Sequence, residues 1–325
     1  MRLPRREFLH LAAGAGALPA LSLFARAESY PTHPARIVVG FAAGSTTDIL
    51  ARLMGQWLSQ RLGQQFVIEN RPGAGGNIAA ETVVKATADG YTLLMVPPAV
   101  AANATLYEDL NFNFIRDTAP VAGVVRVPNV AEVHPSVPVN SIPELIAYAK
   151  ANPGKLSYAS AGIGTPSHLA GQLFNTMAGV NLRHIPYRGD GPAMADLVAG
   201  QVPVAFATTI ASIEHIRAGQ LRPLAVTTLK RSDVLPDLPS VSEFVPGYET
   251  SSWFGIAAPR ATPAGVIDIV NRETNAGLAD PTIKARLANM GCMPLAGSPA
   301  EFGKLIADET EKWGKVIREA GIRAE

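Results

Sequence analysis

The chain has 325 residues, of which 47% are hydrophobic and 17% charged, with a net charge of +1. That length fits one large domain or two ordinary ones, and the composition fits a well-cored soluble globule rather than a disordered chain. With no basic block beyond the extreme N-terminus, a nucleic-acid partner is not expected. The single cysteine, Cys292, excludes an internal disulfide, a CxxC motif and a cysteine zinc cluster.

The N-terminus reads as a secretory signal over residues 1–27. Arg5-Arg6-Glu7-Phe8-Leu9 supplies a charged head, Leu11 to Leu18 a short apolar run, and Ala25-Arg26-Ala27 a cleavage site. Paired arginines before Phe-Leu resemble a twin-arginine signal. Pro19 interrupts the run, and no stretch reaches the roughly 20 apolar residues of a membrane span, so membrane insertion is not expected. The mature chain is expected to begin near Glu28, in the periplasm. Twin-arginine export carries folded proteins, so an exported cofactor-dependent enzyme remains an alternative.

Ile37-Val38-Val39 predicts a short buried strand, and Gly40 to Thr47 a small-residue turn. From Asp48 the apolar period becomes helical through Ile49, Leu50, Leu53, Met54, Trp57 and Leu58. Strand, Gly/Ser/Thr loop and helix in that order make an anion cradle, with free N–H groups and a favourable helix dipole. The simpler reading is that Gly44 only makes the turn and Thr46 or Thr47 only caps the helix.

Phe66 to Glu69 predicts a second strand, followed by the glycine loop 70–77 and a helix from Ile78 to Ala86. Tyr91 to Val96 predicts a strand. The small, polar segment Ala99 to Leu106 predicts a further cleft loop, and Phe114 to Val127 loop and strand. The chain is expected to cross into another lobe near Pro128 to Pro138. Ser141 and Glu144 then form a capping box with Pro143 in the first turn. Leu156 to Ala159 predicts a strand, Ser160 to His168 a second small-residue loop, and Leu169 to Met177 a helix. The two loops echo one another and suggest one half-site per lobe.

A strand near Arg183 to Pro186, a turn at 187–191, a helix from Pro192 to Ala199 and a strand from Val202 to Ala207 ending at Thr208 come next. Ile210 to Ala218 reads as helix and Leu224 to Thr227 as strand. Prolines and glycine between Pro239 and Gly247 mark a return connection, and Trp253 to Ala257 reads as a strand back in the first lobe. The last helix opens with the capping box Ser298 to Glu301 and carries Phe302, Leu305, Ile306, Trp313, Val316 and Ile317 on one stripe. Strands alternate with helices almost throughout. The expected fold is α/β, two-lobed, with a mainly parallel sheet in each lobe and a cleft between them. The expected lobes are residues 28–130 with 241–325, and 131–240. Ligands in such sheets sit at the carboxyl ends of the strands, where these loops lie.

The constellations do not supply chemistry. Gly73-Ala-Gly75-Gly-Asn-Ile78 is half of a dinucleotide fingerprint, with Ile78 where the third glycine belongs and no acid ending the next strand. No G-x-S-x-G, H-E-x-x-H or P-loop occurs, and no two of the six histidines stand at metal-ligand spacing on one helix. No catalytic residue, metal or cofactor is expected. His168 reads equally as a satisfied helix-end histidine or a ligand contact. Asp48 stabilises the first helical turn and is expected to orient loop amides from behind. Arg71 and Arg188 are possible carboxylate clamps, although Arg71 can instead pair with Glu69 and Arg188 can be solvated. Tyr187 is an aromatic wall or core.

Four ordered stretches resemble family patterns. These are Val39 to Arg52, Val67 to Asn77, Tyr158 to Leu169 and Ile185 to Pro192. Together they are similar to the Bug family, the extracytoplasmic solute receptors of tripartite tricarboxylate transporters, over essentially the whole mature chain. The resemblance implies a type II periplasmic binding fold that closes on a small organic acid, a dicarboxylate or aromatic acid, and delivers it to membrane permease subunits. A monomer is expected, and a receptor feeding a signalling partner is an alternative. Implied ligand contacts are Phe41, Ala43, Gly44, Ser45, Thr46 and Asp48 from the first lobe, with Ala99 and Val100. From the second lobe they are Ser160, Ala161, Gly162, Gly164, Thr165 and His168, with Tyr187, Arg188 and Thr208. Two departures stand out. Ala42-Ala43-Gly44-Ser45 replaces a Pro-Pro-Gly-Gly run. Pro203 replaces the acid of Gly-Gln-Val-Asp, which implies loss of a charge near the cleft floor.

Overall fold

A computed structural model describes residues 30–107, 109–319 and 321–323. The predicted signal segment lies outside them. In chain order the first lobe begins β1 (Ala35–Val39), α1 (Thr46–Leu62), β2 (Phe66–Asn70), a 3₁₀ turn at Ala74–Gly76, α2 (Asn77–Val84), β3 (Thr92–Val96), α3 (Ala99–Leu106) and α4 (Phe114–Asp117). β4 (Thr118–Val133) leads into the second lobe. There follow α5 (Ile142–Ala151), β5 (Ser157–Ser160), α6 (Pro166–Ala178), β6 (Arg183–Pro186), α7 (Asp190–Val198), β7 (Val204–Thr208), α8 (Thr209–Arg217) and β8 (Arg222–Val226). β9 (Ser251–Pro259) returns, followed by α9 (Ala264–Ala279), α10 (Pro281–Asn289), the short β10 (Met293–Pro294) and α11 (Pro299–Glu319).

Local chemistry accounts for most of these boundaries. Ser45 caps α1, its Oγ accepting from the Asp48 N–H at 3.3 Å, and Gly63 ends the helix at φ 73°. The predicted box before α11 closes both ways: Ser298 N–H donates to Glu301 and Glu301 N–H donates to Ser298. Before α5 only half of it forms, because the Glu144 carboxylate takes the Asn140 N–H instead. The segment 99–106 is helix, not loop. Pro98 can start a helix, and alanine is the best helix former, so an all-small run that looks loop-like in composition winds up and buries itself.

The sheets are mixed rather than mainly parallel. β2, β1 and β3 are parallel neighbours, as are β6, β5 and β7. β9 runs antiparallel to β3, and β4 runs antiparallel to β9, β7 and β8. The βαβ units impose parallel pairing. The two strands that connect the lobes, β4 and β9, lie outside those units and enter the opposite way.

β4 belongs to both sheets. Thr118 to Pro128 pair with β9 in the first lobe, and Asn129 to Val133 pair with β7 and β8 in the second. At the change of partner the two connecting segments are tied together by fully buried polar groups. The Thr227 N–H donates to the Asn129 carbonyl and the Asn129 N–H to Thr227 Oγ1, Thr227 Oγ1 donates to the Thr250 carbonyl, and Ser252 Oγ donates to Asn129 Oδ1. The second-lobe core, built on Tyr158, Phe174 and Phe206, also takes Val241, Val245 and Tyr248. The long connection after β8 therefore stays with that lobe through Tyr248.

The return segment is locked by one close approach. A side chain on Gly255 of β9 would begin 2.1 Å from the Phe302 ring of α11 and 2.5 Å from the Ala122 carbonyl. Phe302 lies edge-on to the buried Trp253. Gly255→Ala is expected to destabilise the protein by about 1–3 kcal/mol, because the carbonyl cannot move without breaking the β4–β9 ladder. Urea unfolding checks this; an unchanged midpoint would contradict it.

Candidate functional site

In the first lobe, β1 delivers the chain to the loop at residues 40–45 and Ser45 turns it into α1. Phe41 is buried, whereas Ala43 and Gly44 face solvent. The Gly44 N–H is used internally, donating to Asp48 Oδ2 at 2.9 Å. Asp48 also receives Arg52 through Nε and Nη2 at 2.8 and 2.9 Å, and Asn70 Nδ2 at 2.9 Å. Burial pushes this carboxyl up, but the bonds from Arg52, Gly44 and Asn70 together outweigh that and hold it below its ordinary range. Asp48 is thus a brace behind the loop, the role the sequence suggests.

The second-lobe loop is built the same way. Ala161 N–H donates to Ser167 Oγ, Gly162 N–H to Ser160 Oγ, and Gly164 N–H to His168 Nδ1 at 3.1 Å. Thr165 Oγ1 donates to the Gly162 carbonyl. His168 therefore supports the loop from beneath. It stacks on His184 at 4.2 Å, and His184 Nε2 lies 2.6 Å from Ser160 Oγ. Burial pushes His168 down to about 3, with His184 adding to the effect, and burial pushes His184 down to about 4.

The glycine amides of both loops are thus engaged. The free donors lie one turn further on. Five helices (α1, α3, α6, α7 and α8) begin at one small cavity lined by Phe41, Thr47, Pro97, Pro98, Ala99, Ala161, Thr165, Pro166, Ser167, Asp190, Thr208, Ser252 and Phe254. No acceptor among the described residues reaches the N–H groups of Thr47 and Ser167. First-turn amides have no intrahelical partner, and each helix dipole adds positive potential. The cavity therefore favours negative charge without a cation; its only charged lining residue is an acid, Asp190. A larger groove of about 360 Å³ between α3 and α4 has no such convergence of helix starts.

The lobes touch around this cavity, which holds only about 20 Å³. Thr46 and Thr208 share a hydrogen bond between hydroxyls at 2.6 Å, Ala42 N–H donates to the Arg188 carbonyl at 3.0 Å, and Thr46 N–H donates to Asp190 Oδ2 at 3.3 Å. Gly75, at φ 61°, lets the Ile163 carbonyl approach; a side chain there would start 2.7 Å from it. Outside Phe41 the gap widens to a mouth of about 510 Å³ lined by the 73–76 glycine turn, Ile163, Tyr187 and Arg188.

Of the residues expected from sequence, Phe41, Ala99, Ala161, Thr165 and Thr208 line the cavity, and Thr46 bonds across the gap beside it. Gly162, Tyr187 and Arg188 line the mouth, where the Tyr187 hydroxyl is tied to Asp196 at 2.6 Å. Ser45, Asp48, Ser160, Gly164 and His168 form the supports behind. Val100 packs in the first-lobe core with Trp313 and Ile317. Arg71 pairs with Glu69 at the surface, the simpler of its two readings. Pro203 stands just before β7, at the end opposite Thr208, so its departure from the family pattern removes no charge from the cleft floor. Thr47, Ser167, Asp190, Ser252 and Phe254 were missed. Thr47 and Ser167 carried a signal, as the second residues of helices that follow small-residue loops; the others meet only in three dimensions.

An α/β molecule whose two lobes, joined by paired crossing strands, close over a cluster of helix N-termini has the architecture of the periplasmic binding proteins, which are solute receptors. Residues 50–322 match the model of the tripartite tricarboxylate transporter family receptor, and the chain belongs to that family. Protein BugT of Bordetella pertussis is 36% identical over 300 residues, covering 91% of this chain and 92% of its own. The structure of R. palustris Rpa4515 with adipate is 41% identical, with a TM-score of 0.88, and covers 90% of this chain and 99% of its own. MatC (Rpa3494) from Rhodopseudomonas palustris with bound malate is 29% identical, with a TM-score of 0.84, and covers 89% and 100%.

The histidine pair predicts a pH response. Both imidazoles have folded values below the ordinary 6.5, so the unfolded chain takes up protons first as pH falls. Stability is full above about 6.5 and is lost progressively below it, at up to about 1.4 kcal/mol per pH unit for each histidine. Urea midpoints at pH 7.5 and 5 should show this, with a shallower slope in His184→Gln. A flat profile would refute it.

Proposed function

We propose that the mature chain, from about Glu28, is a periplasmic receptor that captures a small organic carboxylate between its lobes and passes it unaltered to the permease subunits of a tripartite tricarboxylate transporter. It acts as a monomer and does no chemistry on its ligand. The observation that carries this reading is the convergence of helix starts on a cavity without a cation. Uncharged donors in a water-poor site stabilise an anion well, and charge-assisted bonds to backbone amides are among the stronger ones. The adipate and malate named in the two solved neighbours support the same ligand class.

The cavity as it stands is smaller than any dicarboxylate, so entry requires the lobes to part. The pivot is the buried cluster of Asn129, Thr227, Thr250 and Ser252. The lobe division that follows keeps the first crossing near residue 130 and moves the return from 241 to about 250. Ligand contacts made with both lobes at once then favour closure. The free amides of Thr47 and Ser167, from opposite lobes, are the donors offered to the carboxylate, with the Thr47 hydroxyl beside them.

A thermal-shift screen of residues 28–325 against organic acids tests this. A specific acid should raise the melting temperature in a concentration-dependent way. Stabilisation by a nicotinamide or flavin cofactor, with none by acids, would overturn it. Thr47→Val should weaken binding by about 1 kcal/mol, roughly fivefold. Arg188→Ala, at the mouth, should change it by less than about twofold. The reverse pattern would move the site out to the mouth.

A further inference from the structure

The site sets a problem of charge. Its amides favour an anion, yet the only charged side chain lining it is a carboxylate. Asp190 starts α7, is 8% exposed, and reaches across the gap to the first turn of α1, where Oδ2 accepts the Thr46 N–H. It thus uses one of the donors that suit a ligand carboxylate. Among the described residues it has no ion pair. It bears electrostatically on another acid, Glu132 of β4. Glu132 is fully buried, its Oε1 accepting from Ser212 at 2.7 Å and its Oε2 without a partner. On α7 itself Asp196 is occupied by Tyr187. From α1 and α8 only threonines, Thr46 and Thr208, stand at the lobe contact beside Asp190. Burial raises the Asp190 carboxyl above its ordinary range, with the Thr46 bonds opposing.

A ligand carboxylate held on Thr47 and Ser167 lies in the same small space as Asp190. Two carboxylates there repel strongly unless a donor sits between them. Among the described residues, the donors beside Asp190 are the Thr46 N–H and the Thr46 and Thr208 hydroxyls, and these are already engaged with Asp190 or with each other. We propose that Asp190 is a specificity-determining residue that selects acids bearing a hydrogen-bond donor, a hydroxyl or an ammonium, on the carbon beside the captured carboxylate. The donor bonds Asp190 while the carboxylate takes the helix amides. This rests on the carboxylate reading above and narrows it. The solved neighbours carry both adipate and malate, so the fold leaves the choice open, and in this chain Asp190 makes it. A site built around a buried polar group rejects an analogue that leaves it unpaired far more strongly than it rejects a change of size.

The test is calorimetry at pH 7.5 on butanedioic, pentanedioic and hexanedioic acids, each beside its 2-hydroxy and 2-amino counterpart, with benzoate as an aromatic probe. At the chain length that binds tightest, the substituted acid should bind at least about tenfold more tightly than the plain one. In Asp190→Asn, which keeps an acceptor for Thr46, the plain acid should gain and the preference should shrink by at least about fivefold, most for the ammonium acid. Asp190→Ser is the second variant, and both are checked for cooperative unfolding first. Equal or tighter binding of the plain acid, or an unchanged preference in both folded variants, overturns the proposal. So does binding of benzoate alone, which leaves the carboxylate reading intact. A plain acid whose affinity falls about tenfold per unit from pH 6 to 8 overturns it too, because a proton taken up by Asp190 is then the missing donor. If no acid binds at all, this proposal and the carboxylate reading fall together.

Discussion

One strand running through two sheets sets the geometry of everything else. β4 pairs with β9 up to Pro128 and with β7 and β8 from Asn129 onward, so the two sheets share a backbone. Each sheet turns the carboxyl ends of its parallel strands toward the shared gap. A helix follows each of β1, β3, β5 and β7, so four helix starts arrive at one place, and α7 adds a fifth. The polar knot of Asn129, Thr227, Thr250 and Ser252 satisfies the buried backbone where the partners change. Unpaired, those groups would cost more than the crossing could bear.

The site works by division of labour between glycine turns and helix starts. The turns let the chain reverse and let the facing lobe approach, as Gly75 does beneath the Ile163 carbonyl. Their own amides are absorbed by Asp48, Ser160, Ser167 and His168. That internal bonding makes the loops stiff, and stiff loops present the first-turn amides of α1 and α6 at fixed positions. A preorganised neutral donor set needs no reorganisation when an anion arrives. A long arginine or lysine would have to be ordered first. His168 can serve as a support only while neutral, so the burial that lowers its affinity for a proton also preserves the loop.

Neutral donors have a second consequence. They do not offset the burial of an acid, and burial pushes both Asp190 and Glu132 above the ordinary carboxylate range. Glu132 is pushed up to about 8 by burial, with Ser212 opposing and Asp190 adding to it. On the reading proposed above, the cleft admits anions through its backbone and selects among them through Asp190.

Sequence alone determined the pieces whose causes are local. Alternation of short apolar strands with helices, the caps at Ser141 and Ser298, and the two small-residue loops followed from periodicity and turn chemistry within about ten residues, whereas the cap of α1 is Ser45 rather than Thr46 or Thr47. The family followed from four ordered motifs, and the brace role of Asp48 from its place in a first turn. The tertiary structure decided what depends on partners far along the chain. Position 99–106 became a helix because burial against α11 favours its alanines. β4 and β9 turned the sheets mixed because a connecting strand pairs with whatever it passes. The glycine amides were spent inside their own loops, and Asp190 met Thr46 across 144 positions of sequence. Hydrogen bonds and like-charge contacts act over a few ångströms, and only the folded chain sets which groups stand that close.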